Sequence, residues 1–240
     1  MPDDEHLAAI RFVVQTVNGR VPVIAGTGSN DTRHAVDLSK KAAGLGADAL
    51  LSVTPYYNKA SQQGLYLHFK AVAEATDLPV ILYNVPSRTS LNINPDTLAR
   101  LCELPTINGI KECRIEQAGE VASLCGDKLN LYTGEDAMIL PILSLGGLGV
   151  ISVMANVAPA LTHQMVEYYL NGNTAAATRI QISLTPLVKA VFCDINPIPV
   201  KAALNMMGFA VGSCRLPLCD TTEANLELIR NTLMKLGFIS

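Results

Sequence analysis

The chain has 240 residues, 49% of them hydrophobic and 16% charged, with a net charge of −3. That balance excludes a disordered chain and supplies no basic field for nucleic acid or an anionic membrane. The charged fraction lies below the roughly 25% usual for soluble domains, which points to surface buried against further copies of the chain.

Short, continuous apolar runs at 22–25, 49–53, 80–84, 107–111, 129–133 and 149–153 predict six strands buried on both faces. Helical patterns lie between them. Asn30-Asp31-Thr32 can cap a helix carrying Ala35, Leu38, Ala42 and Leu45 and ending at Gly46. Ser61 can cap one carrying Leu65, Phe69, Val72 and Ala73, and Asn94-Pro95 reads as an N-cap followed by proline at the first helical position. After about Val157 the strand signal stops, and helices are expected over 158–171, 173–190, 197–207 and 221–236. Strand alternating with helix at this spacing means parallel β/α units. Both a doubly wound sheet and a (β/α)8 barrel accommodate them; a barrel would place two further strands before Met1.

The six cysteines are scattered without a C-x-x-C pair, as expected of reduced thiols in a cytoplasmic protein. The four histidines are far apart and show no metal-ligand spacing. No run approaches the roughly 18 apolar residues of a membrane helix, and the acidic start Met1-Pro2-Asp3-Asp4-Glu5-His6 lacks the apolar stretch of a signal peptide.

Chemistry-bearing residues collect at the strand ends. Lys111 closes the fourth run; desolvation there would make a nucleophilic amine, whereas solvation or pairing with Glu112 would make it structural. Tyr83 closes the third run and is either a proton shuttle or a rim tyrosine. Arg88 suits bidentate capture of a carboxylate, or is a surface arginine. Tyr56 and Tyr57 can point opposite ways, one into a site and one into an interface, or simply pack. Gly134 would let the backbone approach a ligand, or mark an ordinary turn. Gly26-Thr27-Gly28-Ser29 lacks the third glycine of a nucleotide loop and reads as a tight turn; Lys201, in a rigid helix entry, reads as structural. A lysine, two phenols and an arginine at one end of parallel strands suggest imine chemistry on a carbonyl acid.

Tyr83-Asn84-Val85-Pro86-Ser87-Arg88-Thr89 followed by Gly109-Ile110-Lys111-Glu112 resembles the dihydrodipicolinate synthase family. Val21-Pro22-Val23-Ile24-Ala25-Gly26-Thr27-Gly28, Val53-Thr54-Pro55-Tyr56-Tyr57-Asn58, Gly149-Val150-Ile151-Ser152-Val153 and Asn196-Pro197-Ile198-Pro199-Val200-Lys201 extend the resemblance over almost the whole chain. It implies an α/β fold: a TIM (β/α)8-type barrel lacking its first two strands, with additional C-terminal helices. Residues 1–158 would be the barrel portion and 159–240 the helices, including the last barrel helix.

The resemblance also implies condensation of pyruvate with L-aspartate 4-semialdehyde, in lysine and diaminopimelate biosynthesis, by a homotetramer or dimer with no cofactor and no metal. Lys111 would form the Schiff base, Tyr83 would move protons and Tyr57 would join the relay from a neighbouring subunit. Arg88 would bind the semialdehyde carboxylate, and Ile151 and Gly134 would contact substrate. Asn30, Tyr56 and His6 match positions of a lysine-feedback site, in which His34 replaces the usual acid.

By the resemblance, about fifty residues of the family pattern, two β/α units including a G-T-T-G-E motif, would stand before Met1. The alternatives are a non-catalytic remnant or regulatory subunit, or a pyruvate-dependent aldolase of keto-sugar acids.

Overall fold

A computed structural model describes residues 1–240. Helix α1 (Asp3–Val17) opens on three acids, Asp3, Asp4 and Glu5, which complement the positive helix N-terminus. Then come β1 (Ile24–Gly26), α2 (Thr32–Gly44), β2 (Ala49–Val53), α3 (Gln62–Ala73) and β3 (Val80–Asn84). A short α4 (Pro86–Thr89), α5 (Pro95–Leu101), β4 (Ile107–Glu112), α6 (Ala118–Cys125), β5 (Asn130–Thr133), α7 (Ile139–Ser144) and β6 (Gly149–Val150) follow. Four helices complete the chain: α8 (Pro159–Leu170), α9 (Thr174–Val191), α10 (Ile198–Met206) and α11 (Glu223–Lys235).

The caps act as the sequence suggests, with one exception. Asp31 accepts from the amides of Arg33 and His34, and Ser61 from Gly64; Asn173, which the sequence did not single out, caps α9 by accepting from Ala176. Asn94 holds the N-cap position, but its side chain accepts from Asn92 Nδ2 and caps nothing; Pro95 alone opens α5.

The strands lie in the order β1-β2-β3-β4-β5-β6, a six-stranded parallel half-barrel. Val53 is in register with Tyr83, Tyr83 with Lys111, and Asn84 with Glu112. A bulge sets that last register: Val80 pairs with Ile107 but Ile81 pairs with Gly109, so Asn108 is the extra residue. Without it Tyr83 would face Ile110 instead of Lys111.

Glycine permits the close approach beside the bulge, since a Cβ on Gly109 would stand 2.8 Å from the Asn130 carbonyl oxygen. Gly28 has the same reason at the β1–α2 turn, where a Cβ would stand 2.4 Å from the Val53 nitrogen. That makes Gly26-Thr27-Gly28-Ser29 the tight turn expected from its sequence.

β6 is shorter than the expected 149–153. The amides of Val153 and Met154 donate to the Asp136 carboxylate at 3.1 and 2.8 Å, which turns the chain into a 3-10 helix over 154–156.

The chain forms two compact units, Met1–Tyr132 with Leu145–Gly147, and Thr133–Ser144 with Leu148–Ser240. The first is built on Leu50, Phe69, Leu82, Leu98 and Ile110, all fully buried. The second packs Ile139, Met154, Met165, Leu184, Leu187 and Leu233 around its helices.

Candidate active site

Successive side chains on a strand point to opposite faces. Tyr83 and Lys111 are in register and share one face; Asn84 and Glu112 share the other. On the first face the Lys111 Nζ lies over the Tyr83 ring, 4.2 Å from its centroid. Both residues are half-buried at the C-terminal ends of their strands, the end at which parallel α/β sheets bind ligands.

The opposite face is buried and fully hydrogen-bonded. Glu112 accepts from Asn84 Nδ2 at 2.8 and 3.1 Å, from Gln117 Nε2 at 2.9 Å and from the Arg114 amide at 2.7 Å. Burial pushes the Glu112 pKa up to about 7, against the pull of those donors. The sequence allows pairing of Lys111 with the adjacent Glu112. Instead, amides fill the carboxylate while the lysine sits over the tyrosine. Sequence reasoning missed Glu112, Asn84 and Gln117 as a group. The available signal was a glutamate at an outward position of a strand buried on both faces.

Arg88 lies in α4, directly above β3. A buried pair of hydroxyls fixes this turn: Thr54 Oγ donates to Thr89 Oγ at 3.0 Å. Tyr56, Tyr57, Lys59, Arg88, Thr89 and Ser90 line a cleft of about 420 Å³, whose lining includes neither Tyr83 nor Lys111. Tyr57 is 89% exposed and has a φ of 73°, a left-handed conformation unusual for a tyrosine. Arg88 and Lys59, both among its lining residues, give the cleft the charge to take a carboxylate.

Gly134 and Ile151 belong to the second unit. There the Ile151 amide donates to the Thr133 carbonyl at 2.9 Å, and the Glu135 amide to Thr133 Oγ at 2.9 Å. Of the residues matched to a feedback site, His6 Nε2 bonds to the Gly26 carbonyl at 2.9 Å. Asn30 exchanges bonds with Asn58, two residues after Tyr56. His34 bridges Ser29 Oγ and the Asp3 carboxylate, at 3.1 and 3.0 Å.

A family model for the dihydrodipicolinate synthetase family matches residues 1–236. The chain belongs to that family. It is 57% identical over 239 residues to the 4-hydroxy-tetrahydrodipicolinate synthase of Acetivibrio thermocellus, covering 100% of this chain and 82% of that relative. Identity to the enzyme of the same name from Caldicellulosiruptor saccharolyticus is 56% over 239 residues, covering 99% of this chain and 81% of the relative. Among solved structures, the dihydrodipicolinate synthase of Acinetobacter baumannii complexed with pyruvate superposes with a TM-score of 0.97 at 41% identity, covering 100% of this chain and 83% of that one. The Thermotoga maritima enzyme gives 0.96 at 42% identity, covering 99% and 83%. No helix is long and apolar enough to cross a membrane.

Proposed function

We propose that the chain catalyses the condensation of pyruvate with L-aspartate 4-semialdehyde to 4-hydroxy-tetrahydrodipicolinate, with Lys111 as the Schiff-base residue. The observation that carries this is the Lys111 amine lying over the Tyr83 ring at the strand ends, in a chain similar throughout to synthases of that name.

The Lys111 amine adds to the pyruvate C2 carbonyl and water leaves, giving an iminium. Loss of a methyl proton gives the enamine, whose carbon attacks the semialdehyde aldehyde and leaves a hydroxyl at C4. The semialdehyde amine then attacks C2 and expels Lys111, closing the ring. The net loss is one water. Tyr83, in contact with the amine, carries protons between these steps. Arg88 takes the semialdehyde carboxylate in its cleft. Tyr57 serves the relay of a neighbouring subunit, a reading supported by its 89% exposure. That reading needs an oligomer, a dimer or tetramer.

Gly134 and Ile151 as substrate contacts, and His6, Asn30 and Tyr56 as a lysine-responsive site, rest on the family resemblance alone. So does the division into a barrel portion of 1–158 and helices over 159–240. The six strands correspond to strands three to eight of a (β/α)8 barrel, a reading supported by their sequential parallel order.

Intact mass after pyruvate and borohydride, with peptide mapping, tests the reading. A reduced pyruvyl adduct on Lys111, absent from Lys111→Ala, is expected. A cooperatively folded chain with no adduct, or with one elsewhere, refutes it.

A further inference from the structure

Glu112 touches none of the reacting groups proposed above, yet it is completely buried one residue from Lys111. Its surroundings leave it one hydrogen-bonding role. Asn84 Oδ1 accepts from the Ile93 amide at 3.0 Å, and Gln117 Nε2 donates to the Ile93 carbonyl at 3.0 Å. These two backbone bonds fix both side-chain amides, so neither can flip without losing one. Asn84 and Gln117 therefore present N–H groups to Glu112, as does the backbone amide of Arg114, while the Cys113 amide donates to the Asn84 carbonyl at 3.0 Å. Three donors facing one carboxyl suit an acceptor with no proton of its own.

Asn92 extends the network. It accepts from Asn84 Nδ2 at 2.9 Å and donates to Gln117 Oε1 at 2.9 Å. The network thus ties the end of β3, the end of β4, the 92–94 segment and the turn at Gln117 to a single carboxylate. On the two strands it grips the residues immediately after Tyr83 and Lys111.

We infer that Glu112 is a positioning residue for the condensation: its buried carboxylate clamps the ends of β3 and β4 so that Tyr83 stays against the Lys111 amine. The inference rests on the Schiff-base reading and deepens it. A buried anion is costly to keep and a polar strand clamp alone does not require one, which points to a role in the site. Protonation of Glu112 would turn an O–H toward an N–H donor and break at least one of the bonds. Its midpoint of about 7 puts that loss just below neutrality.

No charged side chain faces the carboxyl. Its contacts are amides from Asn84 on β3, from Arg114 just after β4 and from Gln117, while Lys111 alternates to the other strand face. Arg114, Glu116 and Glu120 lie farther out, around a cleft they share with Asn92 and Gln117.

The test compares wild type, Glu112→Gln and Glu112→Asp by rate of pyruvyl adduct trapping, by pyruvate half-saturation and by thermal melting, from pH 6 to 8. At pH 8, Glu112→Gln is expected to trap roughly 10- to 100-fold more slowly, the scale of a catalytic group misplaced by about 1 Å. Half-saturation should change little, and Glu112→Asp should recover part of the rate. The gap should shrink about tenfold by pH 6, where wild-type Glu112 is itself mostly protonated. The Lys111 titration cancels in this ratio. A gap independent of pH, or Glu112→Gln at the wild-type rate, overturns the inference.

Amide exchange at Ile93 gives a readout without pyruvate, and should be faster in Glu112→Gln. Absence of adduct from wild type would refute the Schiff-base reading, whereas unchanged Ile93 exchange would refute the clamp.

Discussion

Replacing Thr89 with valine removes one hydroxyl and keeps the β-branched shape. Thr54 is fully buried, out of reach of water, and Thr89 is nearly so. Thr89 Oγ accepts from Thr54 Oγ and from the Leu91 amide, and its proton goes to the Val85 or the Leu91 carbonyl. Valine strands the Thr54 hydroxyl with no acceptor, a penalty of about 1–3 kcal/mol, and forfeits bonds worth about 1 kcal/mol. A total of about 3 kcal/mol corresponds to a fall in Tm of roughly 6–12 °C for a chain of this size.

Thr54→Val should cost less, about 1 kcal/mol, because Thr89 keeps its backbone acceptors. The double variant should be no worse than Thr89→Val alone, as expected for two partners in one bond. Because the bond pins the turn carrying Arg88, Thr89→Val should also raise KM for the semialdehyde more than for pyruvate. Calorimetry and steady-state kinetics on the three variants decide it. Equal penalties for the two single variants, or additive losses in the double, would refute the account of the turn.

Gly28→Ala should destabilise by about 3 kcal/mol, since the new Cβ meets β2 backbone and cannot be relieved by a side-chain rotation. Gly44→Ala, in open space at the end of α2, should instead gain about 0.5–1 kcal/mol. Denaturant titration of both checks the contrast. His68 is buried, with Nδ1 bonded to Thr32 Oγ at 2.9 Å, and desolvation holds its pKa below the ordinary 6.5. The unfolded chain therefore takes up this proton first. The contribution of His68 to stability is intact above about pH 6.5 and falls as the pH drops toward its folded value. His68→Gln should flatten the acid slope of Tm; an unchanged slope would exclude His68 as its source.

The sequence by itself determined the strand and helix order, because continuous apolar runs and helical periodicity are local signals. Asp31, Ser61 and Gly28 were legible for the same reason: a cap or a tight turn involves neighbours in the chain. Lys111 and Tyr83 stood out because a charge or phenol at the end of a buried run is itself anomalous, and Arg88 because it follows just after such a run.

Other features depended on groups far apart in the chain. The bulge at Asn108 puts Lys111 beside Tyr83, and no local pattern specifies which residue of β4 is left unpaired. Asn84 and Glu112 are 28 positions apart and meet only through strand pairing. Thr54 and Thr89 are 35 apart and meet only because α4 folds back over β2. Nor does the sequence reveal that fixed amides surround Glu112, because their orientation is set by the backbone of Ile93. The residue types of the site were thus visible in the chain, while strand register and side-chain hydrogen bonding, which are tertiary, decided what each of them touches.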